Sequence, residues 1–173
     1  MQQVQGGLAI LEERVALYGH RNWIVVADSA YPAQSREGIE TVVSGAGQVE
    51  VLHQVLDRVR ASRHVRPVVY TDQELKFVEE EDAPGVSAYR ESLAILLKGH
   101  KAKVLPHGEI IALLDSAAQM FRVLIIKTTM DIPYTSVFVQ LDCGYWSAEA
   151  EARLREAIQR AEMPPAARAR ERD

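Results

Sequence analysis

Short apolar runs alternate along the chain with longer segments in which apolar residues recur every three or four positions. The run from Trp23 to Ala27 is wholly apolar and is followed by Asp28, a pattern typical of a strand buried on both faces. Similar runs predict further strands at residues 65–70, 102–105, 122–127 and 137–141. The periodic segments predict helices at residues 7–18, 49–61, 85–98, 109–120 and 147–162. This alternation predicts an α/β fold with a mostly parallel sheet flanked by helices.

The size and composition of the chain indicate a single globular domain. Its 173 residues can bury a sizeable core but are too few for two comfortable domains. Hydrophobic residues make up 47% of the chain and charged residues 25%, which lies within the globular range. The formal net charge of -4 provides no basic field for a phosphate backbone, so nucleic acid is not an expected partner.

The sequence carries no signal for a membrane, a cofactor or a metal. The N-terminus lacks the charged and apolar regions of a signal peptide, and no apolar run approaches the roughly 20 residues of a membrane span. Cys143 is the one cysteine, and neither a paired-cysteine metal spacing nor a phosphate-binding glycine loop is present. We therefore expect a soluble, cytoplasmic protein that uses no cofactor and no metal.

Asp28 is the first candidate for chemistry, because ligands of open α/β sheets collect at the carboxyl ends of strands. Its carboxylate directly follows an apolar strand, so the protein controls its surroundings. The structural alternative is that Asp28 caps the following loop by accepting backbone N–H bonds.

His20 lies in the turn before the same strand, and histidine is the side chain best suited to proton transfer near neutral pH. The alternative is a solvated turn histidine. Because a strand rises about 3.3 Å per residue, His20 and Asp28 lie too far apart along it for a hydrogen bond. They share a site only if the loop after Asp28 folds back or if the pocket forms between subunits.

A third group of candidates precedes the last predicted strand. Pro133 restricts the approach of the chain, and Tyr134 offers a hydroxyl that can donate or accept a proton. Thr135 and Ser136 add hydroxyls that suit a sugar. The alternative for Tyr134 is simple packing at a loop corner.

Two motifs together resemble the family of ribose pyranases and fucose mutarotases (RbsD/FucU). The first is the spacing of His20 and Asp28 around the apolar strand, followed by SAYPAQS at residues 29–35, which is more similar to the fucose mutarotase branch. The second is PYTSVFV at residues 133–139, in which a tyrosine leads into a strand. The resemblance implies a single-domain, RbsD-like three-layer sandwich. Its boundaries would be a sugar mutarotase domain at residues 1–146 and a C-terminal helical extension with a frayed tail at residues 147–173.

The same resemblance implies a pocket that takes residues from adjacent subunits of a homopentamer, or of a homodecamer built from two such rings. It assigns His20, Asp28 and Tyr134 to catalysis, and Ser136 and His107 to substrate binding. Two positions depart from the family pattern. Ser136 stands where asparagine is common, and His107 lies several residues from the expected place of a histidine or arginine.

The implied reaction interconverts anomers or ring forms of a free monosaccharide, fucose-like or ribose-like. One group removes the proton of the anomeric hydroxyl while another protonates the ring oxygen, which opens the ring. His20 is the expected base, Asp28 orients or charge-stabilises it, and Tyr134 donates to the ring oxygen. Two other functions stay open: a non-catalytic sugar-binding or regulatory module of the same fold, and an assembly protein whose C-terminal helix contacts a partner.

Overall fold

The computed structural model describes residues 2–162, with side chains from residue 10 onward. The predicted frayed tail therefore lies outside the described residues. The strands are β1 (Trp23–Ala27), β2 (Ile39–Val43), β3 (Val65–Asp72), β4 (Ala102–Leu105), β5 (Val123–Lys127) and β6 (Val137–Cys143). Together they form one sheet in the order β2-β5-β1-β6-β3-β4.

Five of these strands run in one direction and β6 runs in the other. β1 and β2 both pair in parallel with β5, and β3 pairs in parallel with β4. β6 is antiparallel to its two neighbours, β1 and β3. The prediction of a mostly parallel sheet is confirmed. The carboxyl ends of five strands and the amino end of β6 thus meet at one side of the sheet, called here the carboxyl edge.

Helices cover both faces of the sheet and complete a three-layer sandwich. They are α1 (Gln2–Leu17), α2 (Gln48–Ala61), α3 (Val86–Leu96), α4 (His107–Ala117) and α5 (Ala148–Glu162), with a short 3-10 helix at Gln73–Phe77. Buried side chains of α1, α2 and α3 share one core cluster with the sheet, whereas those of α4 belong to a second cluster. α4 therefore packs on the opposite face from α1, α2 and α3.

β1 is apolar throughout because it contributes to both clusters. Ile24 and Val26 point into the cluster with α1, α2 and α3, and Trp23, Val25 and Ala27 point toward α4. Successive side chains of a strand alternate between faces, so a strand covered on both sides shows no polar alternation. Each large aliphatic side chain buried in this way contributes about 1.5–3 kcal/mol.

Edge strand β2 was not predicted from the sequence. Its side chains are half-buried or exposed, and it includes Glu40 and Thr41, so it lacks the apolar run that identified the other strands. Glu40 accepts hydrogen bonds from the guanidinium of Arg14 on α1, which accounts for a carboxylate on this strand. The ion pair raises the pKa of Arg14 and lowers the pKa of Glu40.

Two element boundaries differ from the prediction in ways that affect the carboxyl edge. β3 continues two residues past the predicted end and finishes on Asp72. α4 begins at His107 instead of residue 109. The parallel register pairs Asp72 with Leu105, so the end of β3 lies beside the start of α4.

A buried glutamine ties three segments together beneath the carboxyl edge. Gln48, at the start of α2, is 1% exposed. Its side-chain Nε2 donates to the carbonyl oxygens of Val26 at 2.9 Å and Thr135 at 2.8 Å. Its Oε1 accepts a hydrogen bond from the hydroxyl of Thr128 at 2.6 Å. These contacts connect the end of β1, the segment after β5 and the segment before β6.

The C-terminal helix α5 agrees with the helix predicted at residues 147–162, and none of its residues is buried. The division into a domain at residues 1–146 and an extension at 147–173 stays a prediction. In the part of the chain that the structure describes, no helix is both long and apolar enough to cross a membrane.

We expect Gln48→Met to lower the free energy of unfolding by roughly 3 kcal/mol, because methionine keeps the volume but leaves buried backbone and hydroxyl groups unpaired. Urea denaturation followed by circular dichroism measures the loss. Gln159→Met, on the exposed surface of α5, is the matched control and should change stability by less than about 0.5 kcal/mol. Equal stabilities of the two variants would contradict this role for Gln48.

Candidate functional site

A pocket of about 590 Å³ opens at the carboxyl edge of the sheet. It is formed by residues 28–34 after β1, the first turns of α4, and residues 131–134 before β6. Its volume is within the usual range for small-molecule sites, about 300–1,000 Å³. Asp28, His107 and Tyr134 are among its lining residues. The antiparallel direction of β6 is what brings Tyr134 to the same edge as the other two.

Asp28 both caps the loop after β1 and lines the pocket. Its Oδ1 accepts a hydrogen bond from the backbone N–H of Ala30 at 2.9 Å, as expected of a loop cap. Its Oδ2 accepts a hydrogen bond from the hydroxyl of Ser136 at 2.8 Å. The carboxylate also lines the pocket, so capping the loop does not remove it from the cavity.

Ser136 contacts Asp28 and is not among the pocket-lining residues. Its side chain is 1% exposed, and its oxygen also accepts a hydrogen bond from the backbone N–H of Asp28 at 3.2 Å. The register of β1 and β6, which pairs Val26 with Val137, places these residues side by side. The hydroxyl that was predicted to bind substrate therefore orients a carboxylate that lines the pocket.

Tyr134 adopts a strained backbone conformation at the pocket wall. Its φ is 58°, in the left-handed region that residues other than glycine rarely adopt. The residue is 40% exposed, which disfavours the alternative of a tyrosine packed at a loop corner. The following Thr135 is fully buried and fixes the turn, since its hydroxyl donates to the carbonyl of Ile132 at 2.7 Å. The hydroxyl of Tyr89 donates to the carbonyl of Thr135 at 2.7 Å.

The imidazole of His107 lies edge-on to the ring of Tyr134, with the ring centroids 5.7 Å apart and an interplanar angle of 80°. As the first residue of α4, His107 donates its backbone N–H to both carboxylate oxygens of Glu74 at 3.0 Å. Its ring is 38% exposed and lines the pocket. The several-residue offset seen in the sequence therefore does not keep His107 away from Asp28 and Tyr134.

Sequence reasoning missed Asp72, whose Oδ2 lies 3.0 Å from Nδ1 of His107. Asp72 is 3% exposed, and its other oxygen has no hydrogen-bond partner among the described residues. Burial raises the pKa of this carboxyl to about 6, against the opposing effect of His107. The signal was present in the sequence, because Asp72 ends β3 in the way that Asp28 follows β1.

A second missed residue is Tyr31, which lines the pocket behind Asp28. It is 6% exposed, and its hydroxyl oxygen is buried. Burial raises the pKa of Tyr31 to about 12. The tyrosine is therefore neutral near pH 7, and it contributes to the pocket wall while its hydroxyl oxygen is buried.

His20 lies at the opposite edge of the sheet from the pocket. Its Nδ1 is 3.1 Å from Oδ1 of Asp142, near the end of β6, and its side chain is 57% exposed. Asp142 also accepts a 2.6 Å hydrogen bond from Arg66, and that guanidinium helps to lower the pKa of Asp142 against the effect of burial. The loop after Asp28 does not fold back toward His20 within one chain. A shared site for His20 and Asp28 therefore requires a second subunit, and that arrangement stays a prediction.

Histidine, cysteine and carboxylate side chains of the described residues do not converge in a way that would bind a metal ion. Within residues 2–162, no group of three or more such side chains has a suitable arrangement.

Comparison with known proteins identifies the fold. No protein-family model and no curated protein sequence matches the chain. Solved structures do match. RbsD of Bacillus subtilis in complex with D-ribose has 19% sequence identity and a TM-score of 0.56, and the match covers 76% of this chain and 90% of that chain.

FucU of Bifidobacterium longum has 18% identity and a TM-score of 0.53, with 77% of this chain and 92% of that chain covered. The fucose mutarotase of Streptococcus pneumoniae in complex with L-fucose has 16% identity and a TM-score of 0.50, with coverage of 75% and 89%. The predicted RbsD-like fold is confirmed by these likenesses. The preference for the fucose mutarotase branch stays a prediction.

We expect Tyr134→Gly to be more stable than Tyr134→Ala by about 1 kcal/mol, because only glycine adopts a positive φ without strain. Both variants lose the ring, so their difference in free energy of unfolding isolates the backbone. Urea denaturation measures it. The same pair of substitutions at exposed Tyr145, whose φ is not positive, should show no advantage for glycine. An alanine variant at least as stable as the glycine variant at position 134 would rule out strain there.

Proposed function

We propose that this protein is a cytoplasmic mutarotase or pyranase that interconverts anomers or ring forms of a free monosaccharide. The observation that carries the proposal is the meeting of a histidine, a tyrosine and a carboxylate in one pocket of suitable size. His107, Tyr134 and Asp28 supply the base, the acid and the hydrogen-bond acceptor that ring opening needs. The RbsD-like fold supports the same class of reaction.

Ring opening moves two protons and breaks one bond. We assign His107 as the base that takes the proton of the anomeric hydroxyl, and Tyr134 as the acid that protonates the ring oxygen. The bond between the anomeric carbon and the ring oxygen breaks as the carbonyl forms. Rotation of the open-chain aldehyde and reversal of the proton transfers close the ring on either face. Closure through a different hydroxyl changes the ring size.

The carboxylate of Asp28 is assigned to bind sugar hydroxyls. Its contact with Ser136, at 2.8 Å, holds the carboxylate in place, so Ser136 acts on the sugar through Asp28. The part-exposed side chains of His107 and Tyr134 offer further polar contacts inside the cavity. Hydroxyl-rich ligands need several such contacts, because each desolvated hydroxyl left unpaired costs binding free energy.

We further propose that His20 reaches the pocket of a neighbouring subunit in a homopentamer or homodecamer. His20 and the pocket lie at opposite edges of the sheet, so an interface that joins one edge to the other relates subunits head to tail. Repetition of such an interface closes into a ring when the rotation allows it. The exposed imidazole of His20, oriented by Asp142, would then act as a second proton-transfer group.

Saturation-transfer NMR with D-ribose and L-fucose tests the proposed reaction. We expect the wild-type protein to accelerate exchange between anomers, and Tyr134→Phe to reduce that acceleration by roughly 100-fold, because phenylalanine cannot donate a proton. Tyr145→Phe is the matched control, since Tyr145 is 77% exposed and is not a pocket residue. Sugar binding without faster exchange would favour the non-catalytic sugar-binding module instead.

Mixing of two variants with reduced activity tests the intersubunit role of His20. We expect His20→Asn to reduce exchange by roughly 10-fold or more, whereas His53→Asn, which also removes an exposed histidine beside an aspartate, should have no effect. Reassembly of His20→Asn chains with Tyr134→Phe chains should restore part of the activity, because some pockets then combine an intact His20 with an intact Tyr134. Full activity of His20→Asn alone would exclude His20 from the site.

A further inference from the structure

We propose that Asp72 is a positioning residue that keeps the proton of His107 on Nδ1 and thereby leaves the Nε2 lone pair free for the sugar. This inference rests on the proposed function, in which His107 is the base. It assigns a role to a carboxylate that does not line the pocket.

The backbone brings the two side chains together before any ligand binds. Parallel pairing aligns Asp72 with Leu105 at the end of β4, so His107, two residues further on, begins α4 directly beside the end of β3. The distance of 3.0 Å between Oδ2 and Nδ1 is that of a hydrogen bond. Because the aspartate is 3% exposed and the imidazole lines the pocket, the contact extends from the core to the cavity.

An ionised carboxylate can only accept a hydrogen bond, so its partner nitrogen must carry the proton. A neutral His107 therefore has Nδ1 protonated and Nε2 unprotonated. In this tautomer Nε2 can take the proton of the anomeric hydroxyl, and the buried negative charge then stabilises the imidazolium that forms. A carboxylate that accepts a hydrogen bond from the other ring nitrogen orients a catalytic histidine without itself gaining the proton.

The alternative is that Asp72 serves only to fasten the start of α4. Glu74 already does this, since both of its oxygens accept the backbone N–H of His107. Asp72 leaves one oxygen without a partner in the described residues, and its raised pKa means that the ionised form is costly to bury. A site that needed stability alone would be served at least as well by a neutral side chain.

The tautomer of His107 can be measured in the ligand-free protein by long-range ¹H–¹⁵N NMR of the histidine rings. The signals of His107 are assigned as those that are missing from the spectrum of His107→Asn. We expect the wild-type ring to be protonated at Nδ1 at pH 7.5. In Asp72→Asn the proton should shift to Nε2 in a substantial fraction of molecules, because an amide can donate as well as accept. Glu74→Gln is the matched control: it alters a carboxylate that accepts a hydrogen bond from the backbone of His107, and it should leave the ring tautomer unchanged.

Anomer exchange provides the second readout. With the fold intact by circular dichroism, Asp72→Asn should lower kcat by roughly 10–100-fold while KM stays within about twofold. An unchanged tautomer in Asp72→Asn, or unchanged kcat despite an altered tautomer, would overturn the positioning role. If the wild-type protein does not accelerate anomer exchange, the proposed function is wrong. The NMR measurement is independent of that result and still decides whether Asp72 sets the tautomer of His107.

Discussion

The antiparallel pairing of β6 with β1 and β3 is the constraint on which the site depends. The other strands run in parallel, so only their carboxyl ends reach the pocket edge. Because β6 runs the opposite way between two of them, the segment before it arrives at the same edge. The register that pairs Val26 with Val137 then places Ser136 against Asp28. Without that reversal, Tyr134 and Asp28 would lie at opposite edges.

The layer beneath the pocket is stable, whereas the pocket itself carries unfavourable features. Gln48 satisfies the buried polar groups below the site. Above it lie the positive φ of Tyr134 and the buried Oδ1 of Asp72, which has no hydrogen-bond partner among the described residues. Each of these features costs free energy. Such costs concentrated around one cavity are typical of a functional site.

The two edges of the sheet differ in chemistry. At the carboxyl edge, buried or half-buried titratable side chains lie around a cavity. At the opposite edge, His20, Asp142 and Arg66 form a partly exposed cluster of polar side chains that includes the ion pair of Arg66 with Asp142. Exposed ion pairs of this kind contribute little to folding stability, so the cluster is free to serve contact between molecules. This difference gives the proposed head-to-tail assembly a physical basis.

Local patterns in the sequence determined the layers, five of the six strands and the positions of Asp28 and Tyr134 near strand ends. Those features follow from hydrophobic periodicity, which is a property of neighbouring residues. β2 was not predicted, because a half-buried edge strand tolerates Glu40 and has no continuous apolar run.

Only the tertiary structure decided which polar residues meet. The contact between Asp72 and His107 joins residues 35 positions apart, and it depends on strand register and on the direction of β6, which composition and spacing do not encode. The separation of His20 and Asp28, in contrast, could be predicted from the sequence, because the five residues of β1 between them hold the two side chains at opposite edges of the sheet.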